Sequence, residues 1–320
     1  MQYRVLGKTG LRVSTVGIGC WQMAADGSWG KGATDEESIA TIHRAEELGI
    51  NLLDTSASYG GGHSEEVIGK ALKGRRSQFI VASKVRPEPD DTGEDGVRQQ
   101  IVDICEGSLQ RLQTDYIDIY QLHRDPPSNM MAVVMDTLTD LKRQGKIRWI
   151  GSSTNDSGVI RQLLELGDLA VVQVGYNLIN RGGESTLALA KAEGLGTLIR
   201  MPLAAGALTG KYFNVVPALD EGDVRTTRFT GDRSEAAFRR LSDLLFLTQD
   251  GRRSMIQAAL RFVLDTQGVT TVIPGAKDRK QLEENAAAAN VPPLSVEERS
   301  RAMAIAGEVG SISALGLIQS

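Results

Sequence analysis

Short runs rich in Val, Ile and Leu alternate along the chain with longer segments whose apolar residues recur every three or four positions. The runs TVGIGC, NLLDTS, FIVASKV, YIDIYQLH, IRWIGSS, AVVQVGY, TLIRMPL and TTVIPG have the length and β-branched content of strands. Helical stretches follow them, at roughly 34–48, 64–73, 96–112, 131–144, 156–166, 184–194, 254–267 and 278–289. In the third, Val97, Ile101, Ile104, Cys105, Leu109 and Leu112 fall on one face. Glycine closes several of these stretches, in ELGI, RQGK, ELGD, AEGL and TQGV, where a C-terminal cap is needed.

Eight strand–helix units in one chain predict an α/β fold, a (β/α)8 barrel, with residues 1–320 forming one domain. The opening QYRVLGKTGLRVS predicts a β-hairpin, and a further helix over about 295–309 falls outside the eightfold count. A doubly wound sheet is the competing architecture. It would carry a Gly-rich turn after its first strand, but GIGCWQ has only Gly17 and Gly19 and is no G-x-G-x-x-G. Two insertions interrupt the pattern: the acidic, Pro-rich RPEPDDTGEDG after strand three, and the segment from Lys211 to about Asp250 after strand seven. Long βα connections in a barrel lie on its catalytic face.

Composition narrows the class. Among 320 residues, 41% hydrophobic and 24% charged content is ordinary for a globular protein. A formal net charge of −4 gives no electrostatic reason to expect nucleic acid. Only Cys20 and Cys105 occur, which argues against a disulfide framework. No apolar run approaches the roughly 18–20 residues of a membrane span, and the N-terminus lacks a signal-peptide core, so a cytoplasmic location is expected. No metal site is expected, and the pattern leaves the oligomeric state open.

Barrel chemistry sits at the C-terminal strand ends. There the sequence places Asp54 with Tyr59 just beyond it, then Lys84, His123, Ser152, Ser153 and Asn155, and Gln173. Alone, each has an ordinary reading: a capping aspartate, a packing tyrosine, a solvated lysine, a structural histidine. Together, on successive strand ends that must converge, they can deliver a proton to a carbonyl. A lysine ammonium within about 4 Å of a phenol favours tyrosinate by roughly 4 kcal/mol at an effective dielectric of about 20. On that ground Lys84 is expected to pull the Tyr59 pKa below its usual value, with Asp54 holding the ammonium and His123 orienting a substrate oxygen. None of these residues can supply a hydride, so a cofactor is required.

The chain resembles the aldo-keto reductase family over nearly its whole length. The resemblance rests on NLLDTSASYGGGHSEEVIGKAL, FIVASKV, YIDIYQLHRDPP, KIRWIGSSTN, VVQVGYNL, PLAAGALTGKY and VIPGAKDRKQLEEN, in that order. It implies a barrel that binds NADPH without a Rossmann domain, a catalytic tetrad of Asp54, Tyr59, Lys84 and His123, and Tyr59 as proton donor. It further implies that Ser152, Asn155 and Gln173 hold the nicotinamide carboxamide. Gly19, Trp21 and Pro202 fall in the cofactor path, and Leu203, Gly206, Leu208, Gly210 and Lys211 along the pyrophosphate. Gly275 and Lys277 fall where the 2′-phosphate is read, and Gln281, Glu284 and Asn285 at the adenosine end.

Two positions depart from the family pattern. Arg200 stands where many relatives stack an aromatic ring on the nicotinamide, and Gln281 where some carry a phosphate-binding arginine. A cation beside a ring that becomes positive on oxidation would disfavour bound NADP+. Trp21, Trp29 and Arg124 are the candidate substrate contacts; Arg124 either steers an anionic substrate or pairs with Asp125. The substrate expected is a small carbonyl compound. An alternative is a redox-sensing subunit of a membrane channel, which keeps the cofactor without turnover. A Schiff-base aldolase on Lys84 is disfavoured, because Asp54 and Tyr59 keep the lysine charged.

Overall fold

The computed structural model describes residues 1–88, 93–215, 217–227, 229 and 231–312. Part of the RPEPDDTGEDG loop, and positions 216, 228 and 230 of the long segment after strand seven, lie outside the described residues.

A two-stranded antiparallel hairpin, β1 (Tyr3–Val5) with β2 (Arg12–Ser14), opens the chain. Eight parallel strands follow: β3 (Ile18–Gly19), β4 (Leu52–Asp54), β5 (Ile80–Val85), β6 (Ile117–Leu122), β7 (Ile147–Ser153), β8 (Leu169–Gly175), β9 (Gly196–Arg200) and β10 (Thr271–Val272). They pair in sequence order, and the ends meet: Val16 bridges Val272, Gly19 bridges Gly275, and Gly17 N–H donates to the Val272 carbonyl at 2.8 Å. The eightfold pattern thus closes into a barrel. The first and last strands are shorter than TVGIGC and TTVIPG suggest, because bridges outside the regular ladder complete the closure.

The helices fall where the apolar period puts them: α1 (Asp35–Glu47), α2 (His63–Ala71), α3 (Gly93–Leu112), α4 (Met131–Arg143), α5 (Ser157–Leu166), α6 (Glu184–Ala192), α7 (Gly231–Leu241) in the long insertion, α8 (Met255–Leu264), α9 (Arg279–Ala287) and α10 (Val296–Ile312). The buried seam of α3 is Val97, Ile101, Cys105, Ser108 and Leu112, one turn of Ile104 and Leu109 being only partly covered. Of the five glycine stops, Gly49, Gly145, Gly194 and Gly268 take a left-handed φ, whereas Gly167 is extended at φ 179° and any residue could adopt its backbone. Among the described residues, no helix is long and apolar enough to cross a membrane.

Strand alternation sorts side chains into two layers. Leu53, Val81, Ile150, Val172 and Ile199 face the helices in one large apolar layer. Leu52, Ala82, Ile119, Val171, Leu198 and Ile273 form a second cluster, joined by Leu6 and Val13 of the hairpin. Leu6 is fully buried, and a Cβ on Gly196, the first residue of β9, would lie 2.5 Å from its Cγ. Lys8 N–H donates to the Gly194 carbonyl at 2.7 Å. The hairpin therefore closes the N-terminal mouth with apolar side chains, each such burial contributing about 1.5–3 kcal/mol. The inward positions at the other end are polar.

Candidate active site at the C-terminal mouth of the barrel

Period-two alternation carries the inward face of each strand up to a polar residue. From Leu52 it reaches Asp54, from Ile80 and Ala82 it reaches Lys84, and from Ile119 it reaches Gln121 and then His123. From Trp149 and Gly151 it reaches Ser153, from Val171 it reaches Gln173, and from Leu198 it reaches Arg200. Register brings these together: Lys84 pairs with Gln121, Gln121 with Gly151, Ser153 with Gln173 and Gly175 with Arg200.

Lys84 lies at the centre, with its side chain fully covered. Its ammonium donates to Asp54 Oδ2 at 2.7 Å, to the Thr55 carbonyl at 2.8 Å and to Tyr59 Oη at 3.2 Å. Burial opposes the charge, but Asp54 and Tyr59 outweigh it, so the Lys84 pKa is raised and the ammonium is retained. Asp54 Oδ1 accepts from Gln173 Nε2 at 2.7 Å and from Gln121 Nε2 at 3.1 Å. Gln121 was not anticipated from the sequence. Its signal was its place two residues before His123 on the same strand face, and Gly151 gives it room, since a Cβ there would sit 2.7 Å from Gln121 Cγ.

Tyr59 hangs from a glycine turn. Gly60, Gly61 and Gly62 all take positive φ before α2 begins, and a Cβ on Gly60 would lie 2.1 Å from the Ala24 carbonyl oxygen. That close approach stacks the Trp21 ring on Tyr59, centroids 5.5 Å apart and planes within 11°, with Trp29 edge-on to Trp21 at 5.2 Å. The expectation that Lys84 lowers the Tyr59 pKa is corrected here. Desolvation by burial outweighs the nearby ammonium, and the phenol pKa is raised. Tyr59 is thus a protonated phenol with a cation 3.2 Å from its oxygen.

His123 stands edge-on to Tyr59 at 5.6 Å, its Nδ1 within 3.1 Å of Ser56 Oγ and 3.3 Å of Ser58 Oγ. Burial first, then the charges of Lys84, Arg200, Arg86 and Arg124, push its pKa down to about 3, so the imidazole is neutral at ordinary pH.

These residues open onto a cleft of about 1860 Å³ running across the barrel mouth. Its lining includes Gly19, Trp21, Trp29, Asp54, Tyr59, His123 and Arg124 at one end. Asn155, Gln173, Arg200, Pro202, Leu203, Gly206 and Lys211 continue it, and Gly275, Lys277, Gln281, Glu284 and Asn285 complete it. Ser152, Leu208 and Gly210 do not line it. Ser152 is fully buried on the outward parity of β7; Ser153, one residue on, faces the cleft instead, with Thr154 beside it. Leu208 is fully buried in the outer layer. Asn155 lines the cleft but uses both polar ends on Gly175, its Oδ1 accepting from the backbone N–H at 2.7 Å and its Nδ2 donating to the carbonyl at 2.9 Å.

Two features of the cleft wall stand out. After β9, Met201, Ala204 and Ala205 all hold left-handed φ values of 49–56°, a strained run of non-glycine backbone along the cleft wall. Gln22 Oε1 and Trp29 Nε1 are buried polar atoms with no hydrogen-bond partner, and both residues line the cleft. Across it, the segment after β9 reaches the loop that follows β3. Val224 N–H donates to the Ser28 carbonyl at 2.8 Å, Lys31 N–H to Asp220 Oδ2 at 3.1 Å, and Arg225 pairs with Asp223 at 2.6 Å beside the Trp29 ring. Lys277 joins this strap, donating from Nζ to the Trp29 carbonyl at 2.5 Å.

The aldo/keto reductase family model matches residues 15–306. Aldo-keto reductase YhdN of Bacillus subtilis is 35% identical over 292 residues, covering 88% of this chain and 87% of that protein. An L-glyceraldehyde 3-phosphate reductase of Escherichia coli is 31% identical over 317 residues, covering 93% of this chain and 90% of that protein. Among solved structures, an aldo-keto reductase from Klebsiella pneumoniae in complex with NADPH superposes with a TM-score of 0.73 at 26% identity, covering 94% of each chain.

Proposed function

The chain belongs to the aldo/keto reductase family, and on that premise we propose that it is an NADPH-dependent reductase of a small aldehyde or ketone, acting as a single domain with Tyr59 as general acid. The observation that carries this reading is the buried contact of Lys84 with both Asp54 and Tyr59. NADPH, when bound, supplies the hydride. The length of the cleft, from Tyr59 to Asn285, and the unpartnered Trp29 Nε1 on its wall fit a dinucleotide along it. Gln173 has its Nε2 taken by Asp54 and Gln121, so it meets a carboxamide through Oε1, with Ser153 and Thr154 alongside. Arg200 faces the nicotinamide, Gly206 and Lys211 the pyrophosphate, and Gln281, Glu284 and Asn285 the adenosine end.

The proton chemistry follows from the charges. The raised pKa keeps the proton on Tyr59 until a carbonyl oxygen needs it. As the proton leaves, the ammonium of Lys84 stabilises the phenolate formed 3.2 Å away, and Asp54 holds that ammonium in place. Neutral His123 donates a hydrogen bond to the same substrate oxygen and fixes its direction. Trp21 and Trp29 form flat walls beside the reacting carbon. The test is oxidation of NADPH with a panel of aldehydes, ketones and sugars by wild type and Tyr59→Phe. Turnover that vanishes in the variant while NADPH still binds supports the reading; NADPH binding without turnover of any carbonyl redirects it to the sensor subunit.

A further inference from the structure

We propose that Arg86 and Arg124 form an anion subsite beside His123, so that the favoured carbonyl substrates are short aldehydes or ketones carrying a phosphate or carboxylate. This inference rests on the reductase reading of the same cleft and specifies its substrate.

The subsite is a product of strand register. Val85 and Leu122 are paired at the ends of β5 and β6, and His123 N–H donates to the Val85 carbonyl at 2.8 Å. Arg86 and Arg124 therefore leave adjacent strand ends on either side of His123, and both line the cleft. The sequence left Arg124 with two possibilities, steering an anion or pairing with Asp125. Asp125 does not pair with it: it stays on the cleft wall, where its Oδ2 accepts from Thr154 Oγ1 at 3.0 Å. Among the described residues Arg124 makes no ion pair. Among the described residues Arg86 pairs only with Glu88, at 2.6 Å, and that carboxylate is 63% exposed, so the pair is weak and exchangeable.

Charge accumulates here against the trend of the molecule. The chain as a whole carries a formal −4, yet Arg86, Arg124 and Arg200 converge on His123, and the charge of Lys84 below them is already matched by Asp54. The same cations contribute to holding His123 neutral, which marks them as its close electrostatic neighbours. Asp125 and Asp156 also line this end of the cleft, so the excess of positive charge is local to His123; there it attracts anions and leaves neutral molecules unaffected. The pyrophosphate track, at Gly206 and Lys211, arises from the segment after β9, so these two arginines are left for the substrate.

The test compares kcat/KM for matched pairs, butyraldehyde with succinic semialdehyde and glyceraldehyde with its 3-phosphate, in wild type, Arg86→Gln and Arg124→Gln. Expected is a preference for the anionic member of at least one pair. It should fall about tenfold or more in either variant, as loss of a charge-assisted hydrogen bond implies, and shrink with added salt. The ratio separates a lost subsite from general damage, which lowers both members equally. Binding of 4-hydroxybutyrate and glycerol 3-phosphate to the NADP+-loaded protein, against butan-1-ol and glycerol, reads the subsite without turnover. Neutral substrates reduced with no anion preference, and no anion-dependent binding, overturn the subsite while leaving the reductase reading intact. Arginine-dependent anion binding with no carbonyl turned over supports the subsite and overturns the reductase.

Discussion

Gln173 and Asp54, 119 positions apart in the chain, are joined across the barrel by a 2.7 Å hydrogen bond from Nε2 to Oδ1. The bond has a donor on one buried carboxylate oxygen while Lys84 takes the other. It follows that Gln173 supports the Asp54–Lys84 pair from below as well as lining the cleft. Gln173→Leu removes one of two amide donors to Oδ1, leaving Gln121 at 3.1 Å. A lost hydrogen bond to a buried charge costs about 1.5–3 kcal/mol. The variant should therefore unfold at lower denaturant even without cofactor. An unchanged unfolding midpoint would mean that this bond contributes nothing to holding Asp54.

Tyr59 should titrate late. Because burial outweighs the ammonium beside it, its phenol stays protonated beyond the usual tyrosine range near pH 10. The difference in tyrosinate absorbance between wild type and Tyr59→Phe should show no component between pH 7 and 9. A component titrating in that window would mean that Lys84 dominates after all, and that the Tyr59 phenol is poised by charge rather than protected by burial.

Most of the barrel was legible because its signal is local. Each strand announces itself through β-branched residues, and the helices through their apolar period and, for five of them, a glycine stop. The tetrad was legible as a set of residues at strand ends. Its electrostatics were not, since the balance between the Lys84 charge and the burial of Tyr59 depends on how tightly Trp21 stacks over the ring. Ser152 and Gln121 show a different shortfall. Both are assigned by counting in twos along IRWIGSS and YIDIYQLH: Ser153, not Ser152, shares the face of Trp149, and Gln121 shares the face of His123. Resemblance pointed to Ser152, whereas strand parity puts Ser153 on the cleft face. The hydrogen bonds that Asn155 and Lys277 make could not have been read in advance, because their partners, Gly175 and the Trp29 carbonyl, come from distant segments.

His123 links stability to pH. With its folded pKa near 3 and an unfolded value near 6.5, the unfolded chain binds a proton here that the folded chain refuses. Stability from this group is therefore present above about pH 6.5 and is lost as pH falls through the window between the two values. Relative to His123→Asn, wild type should lose about 1–2 kcal/mol of unfolding free energy between pH 7 and 5. A constant difference over that range would show that the imidazole protonates as freely folded as unfolded. Ring nitrogen shifts read the companion point: if Ser56 or Ser58 donates to Nδ1, the proton of the neutral ring lies on Nε2. Ser56→Ala with Ser58→Ala should mix the two tautomers.

Arg200 offers the sharpest test of cofactor preference. Its guanidinium lies against Gly175, where an added Cβ would come within 3.0 Å of one terminal nitrogen and 3.1 Å of Cζ. Glycine at 175 is thus what lets the cation sit flat in the cleft, above Gln173 on the neighbouring inward position. If the nicotinamide lies there, a fixed positive charge raises the free energy of the oxidised, cationic ring but not of the reduced one. At about 4 Å the repulsion is at least ~1 kcal/mol even under full solvent screening, a factor of about five in relative affinity. Wild type should bind NADPH more tightly than NADP+ by more than Arg200→Tyr does, and Gly175→Ala, which displaces the guanidinium without removing it, should fall between. Fluorescence titration of both cofactors against the three proteins measures this directly. Equal affinity ratios in all three would place the charge elsewhere than beside the nicotinamide and remove any electrostatic bias towards reduction.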